Sequence, residues 1–430
     1  MYTNLKGKKA AIYTLGCKVN QYESDGMSDM LKSQGMMMVS FTEIADIYII
    51  NTCSVTNMAE RKSRQIIHRA RKLNPEAIVV ACGCYVQAAK DSLKSDCGID
   101  VIVGNNRKKD IARILSEYIE ENEVEDNYID INNTNEYENM TLVKPTEHCR
   151  AYVKIQDGCN NFCTYCIIPY TRGRIRSRKL SDIVDEVEGL ANTGIKEVVV
   201  TGINISSYKD DENHSLIDVL TSIACVDGIA RVRMGSLEPG IITREFLDEM
   251  KKYDKICPHF HLSLQSACDA TLKRMNRKYT LGEYMQKCEL IRQTYDRPAI
   301  TTDVIVGFPG ETDEEFEMTV NMLEKLDLYE MHVFKYSRRD GTIAAGMPNQ
   351  VPDSKKDERS SILISMAQEH KKRFEDKFRG EKLQILVEEW EKKGGKSFFK
   401  GHTDRYIMIE QEAEEDICRQ SVNEIIEVVF

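Results

Sequence analysis

The sequence lacks any apolar run of the roughly 18 residues that a membrane helix requires. Its first residues, MYTNLKGKKAAIYTLGC, also lack the apolar segment and the cleavage site of a secretory signal peptide. Neither an internal repeat nor an extended low-complexity tract is present. We therefore expect a cytoplasmic protein with no membrane partner.

An excess of basic residues is absent as well, because the formal net charge is −10 at pH 7. This balance excludes a broadly basic nucleic-acid coat, but it leaves room for a local basic groove, since electrostatic steering depends on where the charges lie. A chain of 430 residues is longer than a single domain with one hydrophobic core usually is, so two or three domains are predicted. Fourteen cysteines in a chain without a secretory signal indicate metal binding or catalysis rather than disulfides.

The order of strand-like and helix-like segments predicts an α/β protein with three folded parts. Residues 8–118 alternate strands and helices, which predicts a doubly wound parallel sheet. Residues 119–146 are acidic and asparagine-rich and are predicted to be a linker. Residues 147–376 hold six strand–helix units, an incomplete (β/α)6 barrel, since a complete parallel barrel needs eight. Residues 377–430 contain short strand-like runs between charged turns, which favour a small antiparallel β-barrel.

Three cysteines stand within eight residues, in the pattern C-x3-C-x2-C: Cys159, Cys163 and Cys166. They directly follow a predicted barrel strand, at the end where parallel barrels carry their active sites. Three thiolates on a 4Fe–4S cluster leave one iron open, and S-adenosylmethionine can chelate such an iron. The alternative metal is zinc, which would need a fourth ligand, and His148 and Cys149 lie nearby in the sequence.

Three further cysteines each end a predicted parallel strand: Cys17, Cys53 and Cys84. The carboxyl ends of parallel strands share one edge of a sheet, so these thiols are expected in one place. They predict a second cluster with three protein ligands. Cys82 lies two residues before Cys84 on the same strand face, and we favour Cys84 because Gly83 lets the backbone turn there.

Several stretches together resemble the methylthiotransferase family of radical S-adenosylmethionine (radical SAM) enzymes, over almost the whole chain. They are LGCKVNQYES (15–24), NTCSVTNMAERKSRQ (51–65), GCYVQ (83–87), IQDGCNNFCTYCIIPYTRGRIRSR (155–178) and DVIVGFPGET (303–312). The stretch GHTDRY (401–406) resembles part of the family's C-terminal RNA-binding TRAM domain. The sequence around Cys17 is similar to the branch that acts on threonylcarbamoyladenosine.

The resemblance implies an enzyme that adds a methylthio group to carbon 2 of N6-threonylcarbamoyladenosine at position 37 of tRNA. It implies two 4Fe–4S clusters, with S-adenosylmethionine both as methyl donor and as source of a 5′-deoxyadenosyl radical. It also implies a sulfur donor and an electron donor such as flavodoxin or ferredoxin. Other branches act on isopentenyladenosine in tRNA or on an aspartate of a ribosomal protein.

A protein of a different class, a non-catalytic iron–sulfur electron carrier or sensor, is the main alternative to an enzyme. Such a protein would need clusters, but no S-adenosylmethionine pocket, barrel or RNA-binding domain. The predicted core of six strand–helix units is larger than an electron carrier requires, which argues against this alternative.

Candidate residues for holding S-adenosylmethionine lie at predicted strand ends of the barrel. They are Tyr165, which could pack on the adenine, and Gly202, Asn204, Ser236, Glu238 and Gln265. The competing interpretation is that serine and glutamate at strand ends merely cap helices.

Basic residues directly after the cysteine loop are candidates for RNA contact, namely Arg172, Arg174 and Arg176. Such residues neutralise backbone phosphates. A base in a loop can be splayed out and read, which suits the anticodon loop of tRNA, the partner that the resemblance implies. The basic run 61–72 is better explained as the solvated face of a helix.

Overall fold

The computed structural model describes residues 2–94, 98–123, 127–142 and 149–430, which form two compact units. The first unit comprises the described residues of Met1–Thr146, together with Lys154–Lys179 and Ser337–Thr342. The second comprises those of Glu147–Val153, with Leu180–Tyr336 and Ile343–Phe430. The limits of the four segments named above stay a prediction.

A five-stranded parallel sheet forms the centre of the first unit and confirms the predicted doubly wound domain. Its strands are β1 (Lys9–Thr14), β2 (Met37–Met38), β3 (Ile47–Thr52), β4 (Ile78–Gly83) and β5 (Val101–Val103), in the order β2-β1-β3-β4-β5. The helices are α1 (Lys18–Ser33), α2 (Asn57–Leu73), α3 (Cys84–Lys94) and α4 (Ile111–Glu121). Every residue of β3 is buried, as expected for a central strand covered on both faces.

The register of this sheet aligns its carboxyl ends. Thr14 of β1 lies opposite Asn51 of β3, and Thr52 of β3 lies opposite Gly83 of β4. The segments that follow these three strands therefore begin at the same edge of the sheet.

The first unit also includes chain from beyond the sheet. In the predicted linker, Ile131 and Met140 are buried, and the Tyr22 hydroxyl donates to the Met140 carbonyl. Strand β6 (Arg150–Asp157) ends in this unit, followed by the short helix α5 (Ile168–Thr171) and strand β7 (Arg176–Ser177). Strand β7 pairs antiparallel with the end of β6.

The second unit continues the strand–helix alternation and confirms the predicted incomplete parallel barrel. Its strands are β8 (Glu197–Gly202), β9 (Arg231–Met234), β10 (Ser236–Leu237), β11 (His259–Leu262), β12 (Ala299–Val306) and β13 (Glu330–Lys335). Its helices are α6 (Leu180–Asn192), α7 (Leu216–Ala224), α8 (Arg244–Met250), α9 (Asp269–Arg274), α10 (Leu281–Thr294), α11 (Asp313–Leu326) and α12 (Asp353–Asp376). Strand β8 pairs with β9, and β10 to β13 pair in sequence, all in parallel.

A four-stranded antiparallel sheet closes the second unit and confirms the predicted C-terminal β structure. It consists of β14 (Lys382–Lys393), β15 (Lys396–Thr403), β16 (Met408–Ala413) and β17 (Ile425–Val429), in the order β16-β15-β14-β17, with helix α13 (Glu415–Ser421) before the last strand. Arg233 of β9 donates to the carbonyls of Thr403 and Asp404 at 2.9 and 2.8 Å, which anchors this sheet to the barrel strands. Across the described part of the chain, every helix is too short or too polar to span a bilayer.

Candidate functional site

The three strand-end cysteines of the first unit lie at one edge of its sheet. Cys17 caps the start of α1, Cys53 follows β3 directly, and Cys84 is the first residue of α3. The Asn20 side-chain amide ties two of these ends together, because it donates to the carbonyls of Leu15 and Thr52 at 2.7 and 3.0 Å. The structure thus brings together the strand ends that the sequence picked out separately.

Two glycines before these cysteines permit the close approach. Gly16 has φ +102°, and a Cβ there would lie 2.8 Å from the Cys53 sulfur. Gly83 has φ +94°, and a Cβ there would lie 2.5 Å from the Thr52 carbonyl oxygen. A side chain at either position would push neighbouring strand ends apart, so glycine is required by space as well as by conformation.

Cys84 and Cys82 have different surroundings. Cys82 is fully buried within β4, its carbonyl accepts from the Thr52 hydroxyl at 2.5 Å, and burial raises the pKa of its thiol to about 12. The Cys84 sulfur lies 3.3 Å from the Arg172 Nε and 3.9 Å from the Asn105 side-chain amide. Hydrogen-bond donors of this kind support the sulfur ligands of a bound cluster, so Cys84 stays the predicted ligand.

Arg172 is fully buried and connects the strand-end cysteines to the C-x3-C-x2-C loop. Besides Cys84, its guanidinium contacts Glu23 at 2.8 Å, Asp157 at 3.1 Å and the Asn20 side-chain oxygen at 2.6 Å. Asp157 is the last residue of β6, two positions before Cys159. Within the first unit, one side chain therefore contacts Cys84 from one set of cysteines and Asp157, which lies next to the loop of the other set.

The charges around Arg172 leave a positive surplus. Glu23 pairs with Lys108 at 2.6 Å and with Lys154 at 2.8 Å, and both lysines are buried. Burial alone would raise the pKa of Glu23, but Arg172 and the two lysines outweigh it and hold that pKa well below its ordinary value.

Four cations, namely Lys108, Lys154, Arg172 and Arg176, are ion-paired with two carboxylates among the described residues, Glu23 and Asp157. Burial alone would lower the pKa of Lys154, but Asp157 and Glu23 raise it, with a smaller contribution from Glu138. The Glu138 carboxylate is itself buried and offsets one more positive charge. An anionic thiolate or cluster at Cys84 would neutralise the remainder, so the donor set fits a bound iron–sulfur cluster.

Main-chain contacts fold the loop that carries Cys159, Cys163 and Cys166. The Cys159 amide donates to the Gly173 carbonyl at 3.1 Å, and the Cys166 amide donates to the Cys163 carbonyl at 2.9 Å. The Asn161 amide lies 3.4 Å from the Cys159 sulfur, an N–H donor of the kind that supports cluster thiolates. All three cysteines lie on one short loop after β6, as predicted.

Gly158→Ala is expected to unfold this loop locally, at a cost of at least about 2 kcal/mol. Gly158 has φ +71°, and a Cβ there would lie 1.9 Å from the Arg174 carbonyl oxygen. Thermal unfolding and iron content check this expectation. Gly189→Ala in α6 is the matched control, because a Cβ there meets nothing and alanine is the better helix former. Equal stability of the two variants would contradict the role given to Gly158.

The three arginines predicted to contact RNA are not equivalent in the structure. Arg172 and Arg176 are buried, and Arg176 donates to the Arg172 carbonyl at 2.8 Å. Arg174 is exposed, with its guanidinium 4.6 Å from the ring centroid of Phe162. Burial takes Arg172 and Arg176 out of reach of RNA in this conformation, and Arg174 is the one of these three that faces solvent.

The candidates for binding S-adenosylmethionine are placed as follows. Tyr165 is half-buried in the first unit, and Gly202, Asn204, Ser236, Glu238 and Gln265 lie in the second unit at or just after the carboxyl ends of barrel strands. The Glu238 carboxylate accepts from Arg277 at 2.7 Å, so it is held by an ion pair instead of capping a helix. Gln265 has φ +72°, and its main-chain N–H donates to the Asp303 main-chain carbonyl at 2.9 Å.

The spacing of the thiols bears on the zinc alternative. Zinc–sulfur bonds of about 2.3 Å hold zinc thiolates roughly 4 Å apart. Among the described residues, neither cysteine set brings three ligand atoms within 4.8 Å of one another. A four-iron cluster binds its three thiolates through separate iron atoms, so it does not require sulfurs this close together. His148 lies outside the described residues, and the Cys149 thiol donates to the Glu388 carbonyl at 3.2 Å in the second unit.

Sequence reasoning missed the buried polar groups around the cysteines. They are Asn20, Glu23, Asn105, Lys108, Lys154 and Asp157. One signal was available, since Asn20 and Glu23 stand three and six residues after Cys17 and so lie near one face of α1. Nothing in the local sequence marks Lys108 or Lys154 as buried.

Comparison with known proteins gives two family matches. Residues 153–323 match the radical SAM superfamily, and residues 9–104 match uncharacterized protein family UPF0004. The chain is also similar in fold to the radical S-adenosylmethionine methyltransferase TsrM from Kitasatospora setae. That TM-score is 0.56 at 17% identity, covering 76% of this chain and 75% of TsrM.

Relatives of known name match over nearly the full length. The chain is 37% identical to the threonylcarbamoyladenosine tRNA methylthiotransferase MtaB of Bacillus subtilis, covering 96% of this chain and 92% of MtaB. It is 40% identical to MtaB of Aquifex aeolicus, covering 88% and 92%. It is 34% identical to the tRNA-2-methylthio-N(6)-dimethylallyladenosine synthase of Alkaliphilus oremlandii, covering 90% and 84%.

The parallel strand–helix barrel and the C-x3-C-x2-C loop define a radical SAM enzyme, a class that implies a 4Fe–4S cluster and S-adenosylmethionine as cofactors. The two family matches and the named relatives then show which family within this class the chain belongs to. The chain belongs to the family of radical SAM tRNA methylthiotransferases.

Proposed function

We propose that this protein adds a methylthio group to carbon 2 of N6-threonylcarbamoyladenosine at position 37, in the anticodon loop of tRNA. The observation that carries the proposal is the pair of cysteine sets in one unit, joined by the buried Arg172. Relatives at 36–40% identity named for this substrate support the choice of side group. A simple electron carrier or sensor has no use for the barrel.

Two clusters are part of the proposal. Cys159, Cys163 and Cys166 would hold one of them, and the second would be held by Cys17, Cys53 and Cys84. When bound, the clusters and S-adenosylmethionine supply the radical, the methyl group and the place where sulfur is carried. The chain itself supplies three thiolates to each cluster, and Arg172 keeps the Cys84 thiolate oriented and charge-balanced.

The remaining binding roles follow from chemistry and position. Tyr165 would pack on the adenine of S-adenosylmethionine, and Gly202 and Asn204 would admit its methionine end. Ser236, Glu238 and Gln265 offer hydrogen bonds to its amino group or ribose. The exposed Arg174 is the proposed phosphate contact.

A reduced flavodoxin or ferredoxin and a sulfur donor complete the reaction in this proposal. We also propose a cytoplasmic location. The proposed limits of the four segments are 8–118, 119–146, 147–376 and 377–430.

Mass spectrometry of nucleosides from bulk tRNA tests the function. Deleting the gene should remove 2-methylthio-N6-threonylcarbamoyladenosine and raise its unmethylthiolated precursor. Expression of the wild-type chain should restore the product. Unchanged tRNA nucleosides would overturn the proposal and favour the ribosomal-protein substrate or a non-catalytic iron–sulfur role.

A second candidate substrate is isopentenyladenosine in tRNA. It is favoured by relatives at 34–36% identity named as dimethylallyladenosine synthases. The same nucleoside digest separates the two substrates, because loss of the 2-methylthio-isopentenyl nucleoside alone would select this candidate.

A further inference from the structure

Two histidines and an aspartate meet on three adjacent strands of the second unit, far in the sequence from the six cysteines proposed to bind the clusters. His261 lies on β11, Asp303 on β12 and His332 on β13. Asp303 is directly opposite His332, and His261 is opposite Thr301. Because Thr301 and Asp303 are two positions apart on one strand, all three side chains lie on the same face of the sheet.

The polar atoms of these residues converge. One ligand atom from each lies within 4.8 Å of the others, and the His261 Nε2 is 3.4 Å from the Asp303 carboxylate. The imidazole rings of His261 and His332 stack with centroids 5.8 Å apart. The His261 side chain is 13% exposed, that of Asp303 is 28% exposed, and His332 is exposed, so the group is open on one side.

A neighbouring hydroxyl orients the more buried histidine. The His261 Nδ1 is 3.0 Å from the Thr301 hydroxyl, which is itself buried. Such a contact to the far ring nitrogen fixes the ring and directs the other nitrogen at the site, as is usual for metal-ligating histidines. Here it directs Nε2 toward the Asp303 carboxylate.

We propose that His261, Asp303 and His332 bind one divalent transition-metal ion. Two imidazoles and one carboxylate are a donor set that suits zinc or iron(II), and three protein ligands leave coordination positions open. With neutral histidines the site would keep one positive charge, so an anionic oxygen donor such as a carboxylate or phosphate suits the open positions. The main-chain carbonyl of Asp303 accepts from the main-chain N–H of Gln265. The site therefore adjoins Gln265, which is proposed above to bind S-adenosylmethionine.

Zinc titration of the protein with its iron–sulfur clusters filled tests this site. After gel filtration, the wild type should retain one more zinc per chain than the double variant Asp303→Asn/His332→Ala, with equal iron in both. X-ray absorption at the zinc edge should show nitrogen and oxygen ligands only. His332 is exposed, so its replacement should not impair folding, and equal melting temperatures would verify this.

His214→Ala is the matched control for the zinc titration. His214 also contacts an aspartate, Asp210, at 2.9 Å in the second unit, but no third ligand joins that pair among the described residues. This variant should keep the extra zinc. Equal zinc in the wild type and the double variant, or sulfur in the zinc coordination shell, would overturn the proposal, since sulfur would mean that cysteines hold the metal.

Discussion

Arg172→Met is expected to destabilise the first unit by roughly 3–5 kcal/mol and to lower methylthiolation roughly 10–100-fold. The guanidinium is fully buried and contacts Glu23, Asp157 and Asn20 as well as the Cys84 sulfur. Methionine fills much of the space but donates no hydrogen bonds. Glu23, Asp157 and the Asn20 side-chain oxygen would each stay buried but lose a charged hydrogen-bond donor. An anionic cluster at Cys84 would also lose the cation beside it.

The effect should reach both cysteine sets, because Arg172 contacts Cys84 on one side and Asp157, next to the loop of Cys159, on the other. Iron content after reconstitution and the visible and EPR spectra of the clusters report this without requiring turnover. Arg172→Lys is expected to restore part of the stability. It keeps the charge, but a single ammonium cannot reach all four partners that the planar guanidinium bridges.

Arg174→Met is the matched control, since it removes the same charge two residues further along. Arg174 is exposed and stacks on Phe162, so its loss should leave the melting temperature and the iron content unchanged. It should weaken tRNA binding and reduce the salt dependence of that binding. If Arg172→Met kept the stability and iron content of the wild type, the connecting role given to Arg172 would be refuted.

Periodicity and topology explain why much of the fold could be predicted from the sequence. The apolar run of β3 and the helical patterns on either side of it indicated a parallel sheet, and in such a sheet the carboxyl ends of strands meet at one edge. That rule alone brings Cys17, Cys53 and Cys84 together from positions far apart in the chain. The glycines before Cys17 and Cys84 are local signals of the same arrangement.

The buried charges could not be predicted, because their partners are distant in sequence. Lys108 and Arg172 meet Glu23 across 85 and 149 residues, and no local pattern encodes such a pairing. A basic run after a cysteine loop suggests an RNA contact by default, since lone arginines are usually solvated. In the structure Arg172 and Arg176 turn inward to Asp157 and Arg174 turns outward, a difference set by tertiary packing.

Two single replacements, Cys53→Ala and Cys163→Ala, are expected to remove different halves of the bound iron. If each cysteine set holds one 4Fe–4S cluster, the reconstituted wild type binds roughly eight irons per chain and each variant roughly four. Both variants should abolish the methylthiolated nucleoside. They should differ in S-adenosylmethionine cleavage, which the Cys53→Ala variant keeps and the Cys163→Ala variant loses, because the predicted S-adenosylmethionine-binding iron belongs to the loop cluster.

Cys82→Ala is the decisive control for this pair, because Cys82 and Cys84 are two residues apart and both are buried. The Cys82 thiol sits within β4, where burial raises its pKa to about 12, whereas the Cys84 sulfur lies 3.3 Å from the Arg172 Nε. Replacing Cys82 should therefore leave roughly eight irons and full activity, and replacing Cys84 should reproduce Cys53→Ala. Loss of iron in Cys82→Ala but not in Cys84→Ala would reverse the assignment of the third ligand. If the wild type binds roughly eight irons, retention of all of them in Cys53→Ala would remove Cys53 from the ligands of the second cluster. If the wild type and Cys53→Ala both bind only roughly four, the second cluster would be rejected and the first left intact.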